Sequence, residues 1–119
     1  MPEPALGVTQ PISEIKAELF RALAHPARIR ALEVLADGER SVGELQPLVG
    51  IESSHLSQQL GVLRRAGLVT TRKVGSSVIY TIRDGELIEV LAAARRLLIN
   101  SLRESNELLA GMATPTDTL

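Results

Sequence analysis

Apolar residues recur at helical spacing in four separate runs over the first half of the chain, alternate for a stretch, then return to helical spacing until near the C-terminus. In the first run Ile15, Leu19, Phe20 and Leu23 share a face, and Ser13 is placed to cap a helix reaching about Ala24. His25-Pro26 breaks it. Proline suits the first turn of a following helix, which Ile29, Leu32, Val34 and Leu35 carry to Asp37-Gly38. Ser41 followed three residues later by Glu44 is a capping-box pattern. It predicts a short helix through Leu45 and Leu48 to Gly50, with Pro47 inside its last turn. Ser53-Ser54 open another helix, which runs to Ala66 and stops at Gly67. Leu68 to Lys73 and Val78 to Arg83 are rich in Val, Ile, Thr and Tyr. With Val74-Gly75-Ser76-Ser77 as a turn between them, they predict a β-hairpin. Asp84 is placed to cap a long helix to about Ala110.

The predicted organisation is a flexible arm over 1–11, one domain over 12–110 and a disordered tail over 111–119. Two short helices joined by a tight turn and followed by a hairpin make a winged helix-turn-helix: mainly α, with a β-hairpin wing.

The helix beginning at Ser53 carries the candidate chemistry. At about 100° per residue, Leu56, Leu60 and Leu63 fall on one side. Ser54, Gln58, Gly61 and Arg65 fall on the other, with His55 and Ser57 at its flanks and Ser53 at its start. Short and amide-bearing side chains are poor choices for a helix face selected only for stability, where Glu, Lys and Ala do better. They suit a face that enters a major groove: Gln58 can bond an adenine edge, the serines can bond bases or phosphate, and Gly61 permits close approach. Arg64 and Arg65 at the helix end fit phosphate. In the hairpin, Arg72 and Lys73 precede the turn and Ser76 and Ser77 lie in it, so the wing can reach the adjacent minor groove or its phosphates. The plainer reading is a solvated helix face and an edge strand blunted by Lys and Arg.

Charge bears on that choice. The net charge of −1 argues against a nucleic-acid partner, but its distribution does not. From Ser53 to Arg83 there is no Asp or Glu, whereas Arg64, Arg65, Arg72, Lys73 and Arg83 all fall there. A local basic face on a near-neutral chain attracts phosphate.

Composition narrows the remaining classes. Only Phe20 and Tyr80 are aromatic in a chain that is 45% hydrophobic, so the core is built from Leu, Ile, Val and Ala. The last helix carries a wide stripe, Leu87, Val90, Leu91, Ala94, Leu97, Leu98, Leu102, Leu108 and Leu109, more than one core contact needs. This predicts a homodimer through the first and last helices, with Ile15, Leu19 and Leu23 of the one and Leu91, Ala94, Leu98 and Leu102 of the other at the interface. No window reaches the roughly 18 consecutive apolar residues of a membrane span, and the N-terminus does not read as a signal peptide, so no membrane association and a cytoplasmic location are expected. The absence of cysteine excludes a disulfide framework, a thiolate metal site and a thiol redox switch. An enzyme lacks support, with no Gly-rich phosphate loop and no His near a plausible nucleophile. The competing non-enzymatic reading is a winged-helix protein-interaction module without specific DNA binding, against which the acid-free stretch counts.

Three segments resemble the ArsR/SmtB family of winged-helix repressors. They are Leu23-Ala24-His25-Pro26-Ala27-Arg28-Ile29-Arg30-Ala31-Leu32, then Ser54-His55-Leu56-Ser57-Gln58-Gln59-Leu60-Gly61-Val62-Leu63-Arg64-Arg65-Ala66-Gly67-Leu68-Val69, and then Val78-Ile79-Tyr80-Thr81-Ile82. The likeness runs in order over about residues 13–100. It implies a homodimer that binds double-stranded operator DNA near a promoter and is released by an inducer. Members that sense metals use cysteines on the helix before the recognition helix, where this chain has Ser41 and Gly43, or carboxylate and imidazole on the last helix. Asp84 and Glu86 remain there, but Leu97 and Asn100 stand further along. Two isolated carboxylates make a poor zinc site, so no metal sensing through those sites and no cofactor are expected. Family members often carry histidine just after the recognition-helix serine; here Gln58-Gln59 follow Ser57. His25 is expected to bond local backbone, His55 to contact phosphate or solvent, and the two are not expected to share a metal. The inducer, whether a small organic molecule, a partner protein or none, is not legible.

Overall fold

A computed structural model describes residues 11–112; the predicted arm and tail lie almost entirely outside them. Five helices and three strands follow in the order α1 (Ile12–Leu23), α2 (Pro26–Ala36), β1 (Arg40–Ser41), α3 (Val42–Val49), α4 (Ser53–Arg65), β2 (Val69–Val74), β3 (Ser77–Ile82) and α5 (Glu86–Met112). They belong to two compact units, one ending at Asp84 and one beginning at Gly85.

In the first unit α2, α3 and α4 pack on one another around Leu32, Leu45, Leu56, Leu60 and Leu63, all fully buried. Burying each such leucine contributes about 1.5–3 kcal/mol. Local chemistry sets the helix ends. The His25 side chain caps α2, its Nδ1 accepting from the Ala27 N–H at 3.0 Å, as expected of a structural histidine. The capping box of α3 is complete: the Glu44 N–H donates to Ser41 Oγ at 3.2 Å and the Ser41 N–H to Glu44 Oε1 at 2.9 Å. Gly50 ends α3 with φ of 80°. Pro47 is tolerated because α3 stops two residues later, so a single ladder bond is lost.

Two boundaries differ from the sequence-based expectation. Helix α1 begins at Ile12, so Ser13 lies inside its first turn and the cap position is Pro11, with no side-chain bond. Helix α4 begins at Ser53 as expected, with Glu52 as its cap residue, whose carbonyl accepts the Leu56 N–H at 2.8 Å. Helix α5 continues through Met112 rather than ending near Ala110.

The hairpin is part of a three-stranded antiparallel sheet in the order β1-β3-β2. Two residues are too few to show a strand period, so β1 left no signal in the sequence. It pairs Arg40 with Tyr80 and Ser41 with Ile79. The hairpin closes through Gly75-Ser76 alone, because Val74 pairs with Ser77. Gly75 has φ of +61° and no non-glycine residue among those described has positive φ. This is the φ pattern of a type II′ turn, whose first central position favours glycine.

In the second unit, α5 is a helix of 27 residues, about 40 Å long. Leu87 is buried near its start, whereas Leu97, Leu98, Leu102, Leu108 and Leu109 are each more than 60% exposed. No described helix is long and apolar enough to cross a membrane.

Candidate nucleic-acid interface

The position of α4 is fixed from its inner face. Leu56, Leu60 and Leu63 seat it in the core, and Gln59 is buried beside them. Gln59 Oε1 accepts from Arg28 on α2 at 2.9 Å, and the same guanidinium donates to the Arg21 carbonyl at the end of α1 at 3.3 Å. Arg28 Nε is buried with no partner. A second α2 arginine, Arg30, donates to the Val49 carbonyl at the C-terminus of α3 at 3.1 Å, where a cation complements the exposed carbonyl end of a helix. Two arginines two positions apart thus tie α2 to each helix of the helix-turn-helix.

On the outer face, Ser53, Ser54, His55, Ser57, Gln58, Arg64 and Arg65 are all exposed, and Gly61 is half-buried. Glu52, Ser54, His55 and Gln58 line a shallow concavity of about 460 Å³. Arg65 folds back over Gly61: a Cβ on Gly61 would meet the Arg65 Nη1 at 3.1 Å. Glycine at 61 therefore leaves room for the arginine of the next turn.

His25 and His55 come together in space, which their separation in sequence concealed. Their rings stand edge to face with centroids 6.4 Å apart. His25 Nδ1 is occupied by the Ala27 N–H, and no cluster of three or more metal-ligating side chains occurs among the described residues.

On the wing, Arg72, Lys73, Gly75, Ser76 and Ser77 are exposed, as is Val74 beside the turn. Arg72 makes a paired contact with Glu39: one guanidinium nitrogen bonds Oε1 at 2.7 Å and the other bonds Oε2. The hydrogen bond from Arg72 holds the Glu39 carboxyl below its usual range, and Glu39 in turn raises Arg72.

The predicted recognition and wing residues thus lie in the first unit, on the exposed face of α4 and on the hairpin. Of the predicted interface residues, Ile15 and Leu19 are half-buried and Leu23 is buried within the chain; on α5, Leu91 is half-buried and Ala94, Leu98 and Leu102 are exposed. Sequence reasoning missed Gln59, although its spacing from Leu56 and Leu63 put it on the inner face. It also missed Glu39, for which no local signal exists.

The sequence profile of the arsR family of bacterial regulatory proteins matches residues 25–71. The HTH-type transcriptional regulator Rv0081 of Mycobacterium tuberculosis is 54% identical over 97 residues, covering 81% of this chain and 85% of that protein. The chain belongs to the arsR family. Its profile match runs from the His25 cap through α2, α3 and α4 into β2, which takes in both arginine ties and the whole recognition helix. The crystal structure of Rv0081 superposes with a TM-score of 0.74 at 53% identity, covering 82% of this chain and 98% of that one. A biofilm growth-associated repressor of Agrobacterium fabrum is 48% identical over 80 residues, 65% of this chain and 68% of that protein. The homodimeric winged helix-turn-helix DNA-binding domain Mb0332 of Mycobacterium bovis, solved in solution, superposes with a TM-score of 0.71 at 27% identity, covering 78% and 86% of the two chains. This arsR-family chain is a winged helix-turn-helix, DNA-binding regulator of transcription.

Proposed function

We infer that the chain is a cytoplasmic, homodimeric repressor that reads a two-fold symmetric operator with α4 and clamps the flanking backbone with its wing. The observation carrying this reading is the division of α4 into a buried, tethered inner face and an exposed outer face of Ser54, Ser57 and Gln58. Gln58 is assigned to a base edge, Ser53, Ser54, His55 and Ser57 to bases or phosphate, and Arg64, Arg65, Arg72, Lys73, Ser76 and Ser77 to the backbone. The exposed leucines of α5, with Ile15 and Leu19 of α1, supply the surface for a second copy, and the homodimeric state of Mb0332 supports that assembly. A two-fold dimer places recognition helices about one DNA turn apart.

The reading contains no catalytic step. Release is assigned to a signal other than thiol chemistry, a small-molecule inducer being one class, and not to a metal at the usual family sites, since Ser41 and Gly43 offer no thiolate.

The test is a titration of purified protein against a fluorescent duplex from its own upstream region, beside a scrambled duplex, at several salt concentrations. Tight binding to the first that weakens with salt supports the reading. If genome-wide selection enriches no motif and both duplexes bind equally weakly, the winged helix serves protein contacts instead.

A further inference from the structure

Between Ser53 and Arg83 the chain carries basic residues and no acid, which predicts a wing whose cations are uncontested. Folding changes that. Strand β1 docks on the outer side of β3, with Arg40 opposite Tyr80, so Glu39, one position earlier, falls opposite Thr81. On the other side of β3, Arg72 pairs with Ile79. Side chains alternate between faces along a strand, so Glu39, Thr81, Ile79 and Arg72 share one face of the sheet. Arg72 reaches across β3 to take both Glu39 oxygens. The carboxylate thus comes from outside the basic segment, delivered by a two-residue strand.

We propose that Glu39 is a built-in competitor for Arg72, which exchanges this carboxylate for a DNA phosphate when the wing engages a duplex. This rests on the DNA-binding assignment of the wing made above. Three features carry it. The contact is two-pronged, the geometry a guanidinium also adopts on phosphate, so one ligand substitutes for the other. Both side chains are about half exposed, 53% for Arg72 and 46% for Glu39, so the pair is reachable by a phosphate. The pair is also open to solvent and screened by salt, which lowers the resistance to exchange. Binding through Arg72 still carries the cost of parting it from Glu39. The effect is to lower affinity for DNA of any sequence, leaving discrimination to the outer face of α4.

The experiment measures operator and scrambled-duplex affinity across a salt series for wild type, Glu39→Gln, Arg72→Ala, the double variant, and Glu39→Gln combined with Lys73→Ala. Glu39→Gln is expected to tighten both duplexes by about 2- to 5-fold at low salt, the gain shrinking as salt screens the pair it removes. The gain is expected to vanish in the Arg72→Ala background and to persist in the Lys73→Ala background. If Glu39→Gln weakens binding, the carboxylate presents Arg72 to DNA rather than withholding it, and the proposal is overturned. An equal gain with and without Arg72 overturns it too, because the charge then acts without exchange. A wild type that binds neither duplex even at low salt removes the DNA assignment and this proposal together, whereas a binding wild type with an inert Glu39→Gln removes the proposal alone.

Discussion

Gln58 and Gln59 are identical side chains in adjacent positions with opposite surroundings. Gln58 points out of α4 among serines, whereas Gln59 is buried against Arg28. Substituting each in turn therefore separates recognition from stability. Gln58→Ala is expected to weaken operator binding by about 1–3 kcal/mol with no change in melting temperature. Arg65→Ala is expected to weaken operator and scrambled duplexes alike and to lower the salt slope by about 1. Gln59→Leu leaves the Arg28 guanidinium without its side-chain acceptor, where one nitrogen is already unpaired. That is expected to cost about 1–3 kcal/mol in denaturant unfolding. If Gln59→Leu is as stable as wild type, the Arg28 tie does not hold α4.

At the level of elements, the parts legible in the sequence were those built from local chemistry. The Ser41–Glu44 box, the His25-Pro26 junction and the leucine spacing of α4 each declare themselves within a few residues. The Glu44 carboxylate accepts from the Ser41 backbone N–H, the foremost cause holding its carboxyl below the usual value. A carboxyl depressed in the folded state contributes stability that is present above its unfolded pKa and lost as pH falls through its folded pKa. Melting temperature followed on acidification through the carboxylate range is therefore expected to fall less steeply in Glu44→Gln than in wild type, from a lower starting value; parallel curves would mean the box does not couple to folding. What stayed hidden was non-local. Strand β1 exists only because β3 offers it an edge, and Glu39 reaches the wing only through β1. The pairing of His25 with His55 likewise depends on how the core sets α4 beside the start of α2. The candidate face of α4 was readable because amphipathic spacing divides a helix without help from the rest of the fold. The wing's charge balance was not, because it is set by a residue about thirty positions away in sequence.

For the whole molecule, the surplus of exposed leucine on α5 is the feature that asks for a second copy. Leu98 and Leu102 are 62% and 65% exposed in the single chain. Replacing both with glutamate is expected to yield a monomer by light scattering or sedimentation, with an unchanged circular dichroism spectrum. The monomer offers one recognition helix per particle, so its affinity for a full operator is expected to fall to near that for a half-site. A dimer that survives both substitutions would place the interface elsewhere.

The leucines and the Arg28 tie that hold α4 have a further consequence for how such a reader diversifies. Because α4 is held entirely from within, Ser54, Ser57 and Gln58 form a surface that contributes nothing to the interior. Sequence preference is then a replaceable cassette: residues on that face are exchangeable in combination without a toll on folding. A library randomised at those three positions, with proline and glycine left out, should return many new operator preferences from clones that melt close to the parent.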